Sequence, residues 1–315
     1  MKRKLVITHY IPQGFRKSIP EFIETVMPEE KLAFTESELR NKLADADALL
    51  IIRGRCGADM IDCAPKLKVI GTSSVGYDHI DCDYASGKGI AVINTPETVT
   101  ETTAELTVAL MMAIMRRVPQ FDRYVRSELK TMCREYGSPC TRLFGKTLGI
   151  IGFGRIGEAV ARRAVGLGMK VVYNNSSGRR ENSVCADYLE LDELLKISDV
   201  ISLHMPLTPS TRRMICEREF GLMKPTAYLI NMARGPVICE SDLIDALKYG
   251  SIAGAALDVF EAEPNVSPEL AELENIVLSP HVGTYDDESR AEMADEAIRG
   301  IVEFLSGGTP KNKVI

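Results

Sequence analysis

The chain has 315 residues, enough for two domains at an ordinary size of about 150 residues each. Its 38 Lys and Arg against 44 Asp and Glu leave a net charge of −6, with four His counted neutral. That balance argues against a general nucleic-acid binder, which needs a basic face. Apolar residues make up 45% and charged residues 26%, which excludes disorder and provides for a large core; with no Trp and 6% aromatic residues, that core is aliphatic.

No run of about 18 apolar residues is present, so neither a membrane-spanning helix nor a membrane partner is expected. The N-terminus, Met1 to His9, starts basic, but its apolar run is too short for a secretory signal and reads as a first strand. The eight Cys (56, 63, 82, 133, 140, 185, 216 and 239) are scattered without a C-x-x-C pair. The expectation is reduced thiols in a cytoplasmic protein, with no metal site, because zinc needs a tighter cluster of Cys and His.

In chain order, Leu5–Thr8, Ala48–Ile52, Lys68–Gly71 and Ala91–Asn94 read as short Val- and Ile-rich strands, with helices over Glu36–Leu43 and Asp81–Lys88 between them. Thr95-Pro96 breaks the pattern. A long helix follows over Thr102–Arg117, and its Met111, Met112 and Met115 are expected in the core. Pro119–Phe144 shows no clear period and reads as a connection with at most one short helix. A second series then brings strands near Thr147–Ile151, Lys170–Asn174, Asp199–Leu203, Ala227–Asn231, Ile252–Leu257 and Ile276–Leu278. Two alternating βα series imply two parallel sheets covered by helices. The last helix, Asp287–Leu305, follows the second sheet and is expected to return to the first domain.

Gly149 to Gly157 (GIIGFGRIG) places G-x-G-x-x-G directly after a strand and at the start of a helix. Gly152 permits the tight turn, Gly154 lets the backbone approach a pyrophosphate, and Gly157 allows close packing of helix on strand. The amides that open the helix then face phosphate. An acid about 20 residues on normally binds the adenosine ribose, yet the second strand ends Asn174-Asn175-Ser176-Ser177-Gly178-Arg179-Arg180. Asn175 and Ser176 offer no repulsion to a 2′-phosphate, and Arg179 and Arg180 either supply positive charge or are solvated loop residues. This favours NADP(H), with NAD(H) kept open.

Three polar residues follow the last strands, where open parallel sheets bind ligands. Arg234 lies in Asn231-Met232-Ala233-Arg234-Gly235, and its planar fork of donors suits a carboxylate and adjacent carbonyl. Glu263 lies in Asp258-Val259-Phe260-Glu261-Ala262-Glu263-Pro264, and His281 in Ser279-Pro280-His281-Val282-Gly283. An imidazole suits proton transfer to an alkoxide forming as hydride arrives, and a carboxylate beside it favours its charged form.

With Ser74-Val75-Gly76-Tyr77-Asp78-His79-Ile80-Asp81, Asn94-Thr95-Pro96 and Leu203-His204-Met205-Pro206-Leu207-Thr208, these motifs make the sequence resemble the D-isomer-specific 2-hydroxyacid dehydrogenases over nearly its whole length. The resemblance implies that Arg234 binds substrate carboxylate and carbonyl, that Glu263 orients His281, and that His281 is the acid/base. It further implies that the Val75 and Gly76 amides hold the carboxylate and that Asp258 meets the nicotinamide carboxamide. Arg155 and Ile156 match the family's pyrophosphate turn, Met205 and Met232 its cofactor lining, and Arg53 a position that holds substrate in some members. His204 reads as packing near the adenosine.

The resulting expectation is an α/β chain of two domains with a cleft between them. A flavodoxin-like substrate domain would span residues 1–99 plus 284–315, and a Rossmann NAD(P)-binding domain residues 100–283. The activity implied is reversible reduction of a small 2-oxo acid to the D-2-hydroxy acid with NAD(P)H, in a homodimer, in the manner of glyoxylate or hydroxypyruvate reductases. A short phosphoglycerate dehydrogenase, with Arg53 and Arg55 toward a phosphate, is the alternative within the class. A nucleotide-sensing corepressor-like binding module is the alternative outside it.

Overall fold

A computed structural model describes residues 2–29, 33–129 and 139–315. The chain divides into two compact units, one of Met1–Val99 with Thr284–Ile315 and one of Thr100–Gly283.

In the first unit, β1 (Arg3–Ile7), β2 (Ile23–Val26), β3 (Ala48–Ile51), β4 (Val69–Thr72) and β5 (Ala91–Ile93) alternate with α1 (Glu36–Leu43), α2 (Ala58–Asp62) and α3 (Cys82–Gly87). All strand pairs are parallel, in the order β2-β1-β3-β4-β5. This is the flavodoxin-like order, and it reverses direction between β1 and β3. β3 and β4 are buried along their whole lengths, as strands covered on both faces must be. A capping box starts α1: the Glu38 N–H donates to Thr35 Oγ1, and the Thr35 N–H donates back to Glu38 Oε2. The four-residue β2 lacks a long apolar run, so the sequence gives no strand signal there.

The second unit opens with α4 (Thr100–Met115) and α5 (Val118–Glu128). Met111 and Met115 are buried, but Met112 is 40% exposed and lies outside the core. The connection expected over Pro119–Phe144 with at most one short helix holds one helix among its described residues, the eleven-residue α5, which has Pro119 in its first turn where no N–H is needed. Its one buried side chain is Gln120, whose Nε2 donates to the Glu274 carbonyl, so no apolar period marks the helix. The rest of that connection over 130–138 lies outside the described residues.

A seven-stranded parallel sheet follows, built from β6 (Thr147–Ile151), β7 (Lys170–Asn174), β8 (Ala186–Tyr188), β9 (Val200–Leu203), β10 (Tyr228–Asn231), β11 (Gly254–Leu257) and β12 (Ile276–Leu278). Between them run α6 (Arg155–Gly166), α7 (Leu191–Ile197), α8 (Glu217–Leu222), α9 (Glu240–Lys248) and α10 (Pro268–Ala271). The order β12-β11-β10-β9-β6-β7-β8 is doubly wound, with its reversal between β6 and β9. Separate aliphatic cores fill its two faces, one including α4 and α6, the other α7 and α9.

The last helix, α11 (Asp287–Leu305), belongs to the first unit. Asp286 caps its start by accepting the Ser289 N–H at 2.7 Å. Ala294, Ala297, Ile298 and Ile301 then pack on Leu5, Ile7, Leu50 and Ile93. The final residues run antiparallel beside β5, pairing Lys313 with Ile93, and the Val314 N–H donates to the Val92 carbonyl. Among the described residues no helix is long and apolar enough to cross a membrane.

Candidate active site

Arg234, Glu263 and His281 sit in the loops that follow β10, β11 and β12 in the second unit. Asn231, at the end of β10, fixes the first loop. Its Oδ1 accepts the Ala233 N–H at 3.0 Å, and its Nδ2 donates to the Arg234 carbonyl at 3.1 Å. Arg234 Nη1 donates to the Ala233 carbonyl at 2.9 Å. A Cβ on Gly235 would lie 1.9 Å from the carbonyl carbon and oxygen of Phe260. Only glycine lets these two loops meet, and their meeting brings Arg234 close enough to act on the Glu263 carboxylate.

Glu263 is anchored at both oxygens. Its Oε1 accepts the Phe260 N–H and its Oε2 faces His281 Nδ1, each at 2.9 Å. Burial alone would raise its carboxyl. The hydrogen bond and charge of His281, the Phe260 N–H and the Arg234 guanidinium outweigh that and hold it below its usual value. With Nδ1 committed to Glu263, His281 presents Nε2 as its other reactive nitrogen. The imidazole is half exposed, while the His281 backbone is left-handed at φ 55°.

That backbone is held by Asp258. Its buried carboxylate accepts the Val282 N–H at Oδ1 and the Gly283 N–H at Oδ2, both at 2.9 Å. The family resemblance implied a role for Asp258 at the nicotinamide; the geometry gives it a hold on the His281 loop, which a motif match does not reveal. Met232 is buried and near contact with the Gly283 position.

The glycine turn lies at the β6/β9 reversal. Gly152 has φ +91°, and a Cβ there would lie 2.6 Å from the Met205 N; one on Gly157 would lie 2.5 Å from the Gly152 carbonyl. Beside Gly154, by contrast, a Cβ would meet nothing within 4 Å. Arg155 and Ile156 then open α6, twelve residues long, whose first N–H groups have no partner within the helix. This cradle fits a pyrophosphate. At the end of β7, Asn175 Nδ2 donates to Ser177 Oγ, and Ser176 and Arg179 are exposed. Arg180 is committed elsewhere, donating to the Phe153 carbonyl at 2.7 Å, with Glu158 at 3.7 Å. Arg179, exposed like Arg180, makes no hydrogen bond or ion pair with a described residue.

Met205 is buried beside this turn. Just before it, His204 Nε2 meets Ser202 Oγ at 2.7 Å, while its enclosed Nδ1 has no partner among the described residues. Burial pushes the His204 imidazole down to about 3.

In the first unit, Arg53 is exposed after β3, at the β1/β3 reversal; the burial of His9, and after it the Arg53 charge, lower the His9 imidazole. Val75 and Gly76 follow β4. Among the described residues neither of their N–H groups has a protein acceptor. Ser74 Oγ donates to the Gly76 carbonyl at 2.6 Å and contacts Thr72 Oγ1, which meets His79 Nε2.

One group with metal-binding character, Cys216, Cys239 and Asp242, is brought together by folding, which their spacing in sequence concealed. Its donors are engaged within the protein: Cys216 Sγ donates to the Arg213 carbonyl, Cys239 Sγ contacts Ser241 Oγ, and Asp242 accepts the Glu217 N–H.

Residues 108–283 match the profile of the D-isomer specific 2-hydroxyacid dehydrogenase NAD-binding domain. The chain belongs to this family. It is an oxidoreductase built around a nicotinamide-dinucleotide-binding Rossmann domain. It is 44% identical to a glyoxylate reductase of Thermococcus litoralis, across 100% of this chain and 97% of the relative. Among solved structures, it resembles the NADPH-dependent glyoxylate/hydroxypyruvate reductase of Sinorhizobium meliloti in complex with NADP and malonate. That likeness has a TM-score of 0.85 and 30% identity, covering 100% of this chain and 97% of that one. It also resembles D-lactate dehydrogenase of Aquifex aeolicus complexed with NAD and lactic acid, with TM-score 0.82, 31% identity and 99% coverage of both.

Two predictions follow from this geometry. Gly235→Ala drives a methyl group into the Phe260 peptide, and should cost at least ~1–3 kcal/mol as the Arg234 loop is displaced; a melting temperature equal to wild type would contradict it. For His204, the folded state resists the proton that the unfolded state takes up near the ordinary imidazole value of 6.5. Its contribution to stability is therefore present above that pH and lost as pH falls toward about 3. Urea unfolding from neutral pH down to pH ~5 should show a loss of stability that His204→Gln reduces; identical slopes would remove His204 as its source.

Proposed function

We propose that this dehydrogenase reduces glyoxylate, hydroxypyruvate or a similarly small 2-oxo acid to the 2-hydroxy acid of D configuration. The observation that carries this reading is the 2.9 Å contact of His281 Nδ1 with Glu263 Oε2, with Arg234 close to the same carboxylate. The names of the Thermococcus litoralis and Sinorhizobium meliloti relatives support the substrate class.

Bound NAD(P)H supplies a hydride to C2 of the oxo acid. Arg234 orients the substrate by donating to its 2-oxo oxygen and carboxylate, and lowers the cost of negative charge developing on that oxygen. His281, positively charged and held by Glu263, gives its Nε2 proton to the oxygen; C2 thus gains a hydride and the oxygen a proton. In the reverse direction, neutral His281 takes the hydroxyl proton. The Val75 and Gly76 N–H groups in the substrate-binding unit, residues 1–99 with 284–315, receive the carboxylate, and Arg53 adds positive charge. Gly152, Gly154, Arg155, Ile156 and Gly157 would hold the pyrophosphate of the dinucleotide, and Met205 and Met232 would line its site. Asp258 acts first through its grip on Val282 and Gly283.

His281→Ala should lower kcat for glyoxylate reduction ~10²–10⁴-fold, while nucleotide binding is retained. Glu263→Gln should lower kcat with nucleotide binding retained, because the ring loses the carboxylate that holds Nδ1 and aims Nε2. Near wild-type turnover in either variant would contradict these roles.

The cofactor proposed is NADPH. The support is the lack of a carboxylate from Asn174 to Arg180 and the exposed Arg179 guanidinium. Relatives bind NADP in one case and NAD in another. Arg179→Ala should raise KM for NADPH by about 10-fold, the loss of one charge-assisted hydrogen bond, and leave KM for NADH in place. An equal effect on both cofactors would remove the 2′-phosphate role.

A further inference from the structure

The two N–H groups of Val75 and Gly76 are useful to an anion only if both peptides face the same way. What turns them is visible in the first unit. The peptide bond joining residues 74 and 75 and that joining 75 and 76 are trans, because the only cis bond among the described residues precedes Pro264. In a trans peptide the N–H points opposite to the carbonyl. The Ser74 carbonyl accepts the Thr95 N–H at 3.0 Å, which directs the Val75 N–H away from the end of β5. The Val75 carbonyl accepts Asn94 Nδ2 at 2.9 Å, which directs the Gly76 N–H the same way. Two consecutive donors on one side form an anion-binding concavity.

Asn94 is itself held, by a residue more than 200 positions on in the chain. Asn312 Nδ2 donates to the Asn94 carbonyl at 2.7 Å, and the Asn94 N–H donates back to the Asn312 carbonyl at 3.2 Å. Asn312 fits there because α11 carries glycine at position 300, where a Cβ would lie 2.8 Å from the Asn312 amide. Asn94 is buried, so its amide has no water to fall back on.

We propose that Asn94, fixed by Asn312, is a positioning residue that presents the Val75 and Gly76 amides to the substrate carboxylate, so that the last residues of the chain help set affinity for the oxo acid. Neither Asn touches the reacting atoms. The inference rests on the reading that these amides receive the carboxylate. It differs from a purely structural role because it moves substrate affinity and spares hydride transfer.

The test compares wild type, Asn94→Ala and Asn312→Ala by KM and kcat for glyoxylate, Ki for oxamate (a 2-oxo carboxylate mimic that is not reduced) and the nucleotide dissociation constant. Asn94→Ala should raise KM and Ki together by about 10-fold, with kcat and nucleotide binding near wild type. Asn312→Ala should shift both in the same direction by less, and it keeps the test alive if the Asn94 variant fails to fold. Unchanged KM and Ki in a folded Asn94→Ala, or a fall in kcat alone, overturns the inference. Wild-type protein that neither reduces a 2-oxo acid nor binds oxamate overturns the underlying reading, and this inference with it.

Discussion

His281 occupies a backbone conformation that costs a non-glycine residue about 1 kcal/mol or more, and the rest of the site depends on holding it there. Two carboxylates divide the task. Asp258 accepts the next two N–H groups and fixes the main chain. Glu263 takes Nδ1 and fixes the ring. Glu263 is fixed in turn by the Phe260 N–H, and Phe260 is the residue against which Gly235 rests. Arg234, Glu263 and His281 are therefore placed by one connected set of backbone contacts at the ends of three adjacent parallel strands.

The same economy governs both anion-binding turns. Around the glycine turn, backbone crowding at Gly152 and Gly157 excludes any side chain, while open space beside Gly154 leaves room for a ligand. Around Val75 and Gly76, the peptides are turned by donors on the far side, the Thr95 N–H to the Ser74 carbonyl and Asn94 Nδ2 to the Val75 carbonyl. In each case the protein prepares a row of N–H groups and keeps its own acceptors out of the way. Each turn follows a strand of a parallel sheet, where helix and loop ends gather.

Much of this was legible in the sequence. Strands with buried Val and Ile runs, such as Thr147–Ile151 and Lys170–Asn174, appear where the pattern puts them. β2 and β8 were not visible, because they read Ile-Glu-Thr-Val and Ala-Asp-Tyr and lack the apolar run that marks the equally short edge strands β5 and β12. The position of α5 escaped because its buried side chain is a glutamine. In the site, Arg234, Glu263 and His281 stand out by residue type and by position after strands. The hold of Asp258 on the His281 loop and of Asn312 on Asn94 could not be read, since each joins residues distant in sequence through backbone atoms that every residue possesses. Arg180 taught a related lesson: a cation in the right segment is engaged by a neighbouring carbonyl, whereas its equally exposed neighbour Arg179 makes no such bond to a described residue.

The account stands or falls on what the assembled Arg, Glu and His do to a 2-oxo acid. The most direct measurement is the initial rate of reduction of glyoxylate, hydroxypyruvate, phosphohydroxypyruvate, pyruvate and phenylpyruvate, each with NADPH and with NADH. The account predicts the highest kcat/KM for glyoxylate or hydroxypyruvate, with a D-configured product wherever the product is chiral. Protein that binds the nucleotide yet reduces none of the five, or that prefers phosphohydroxypyruvate, would contradict it.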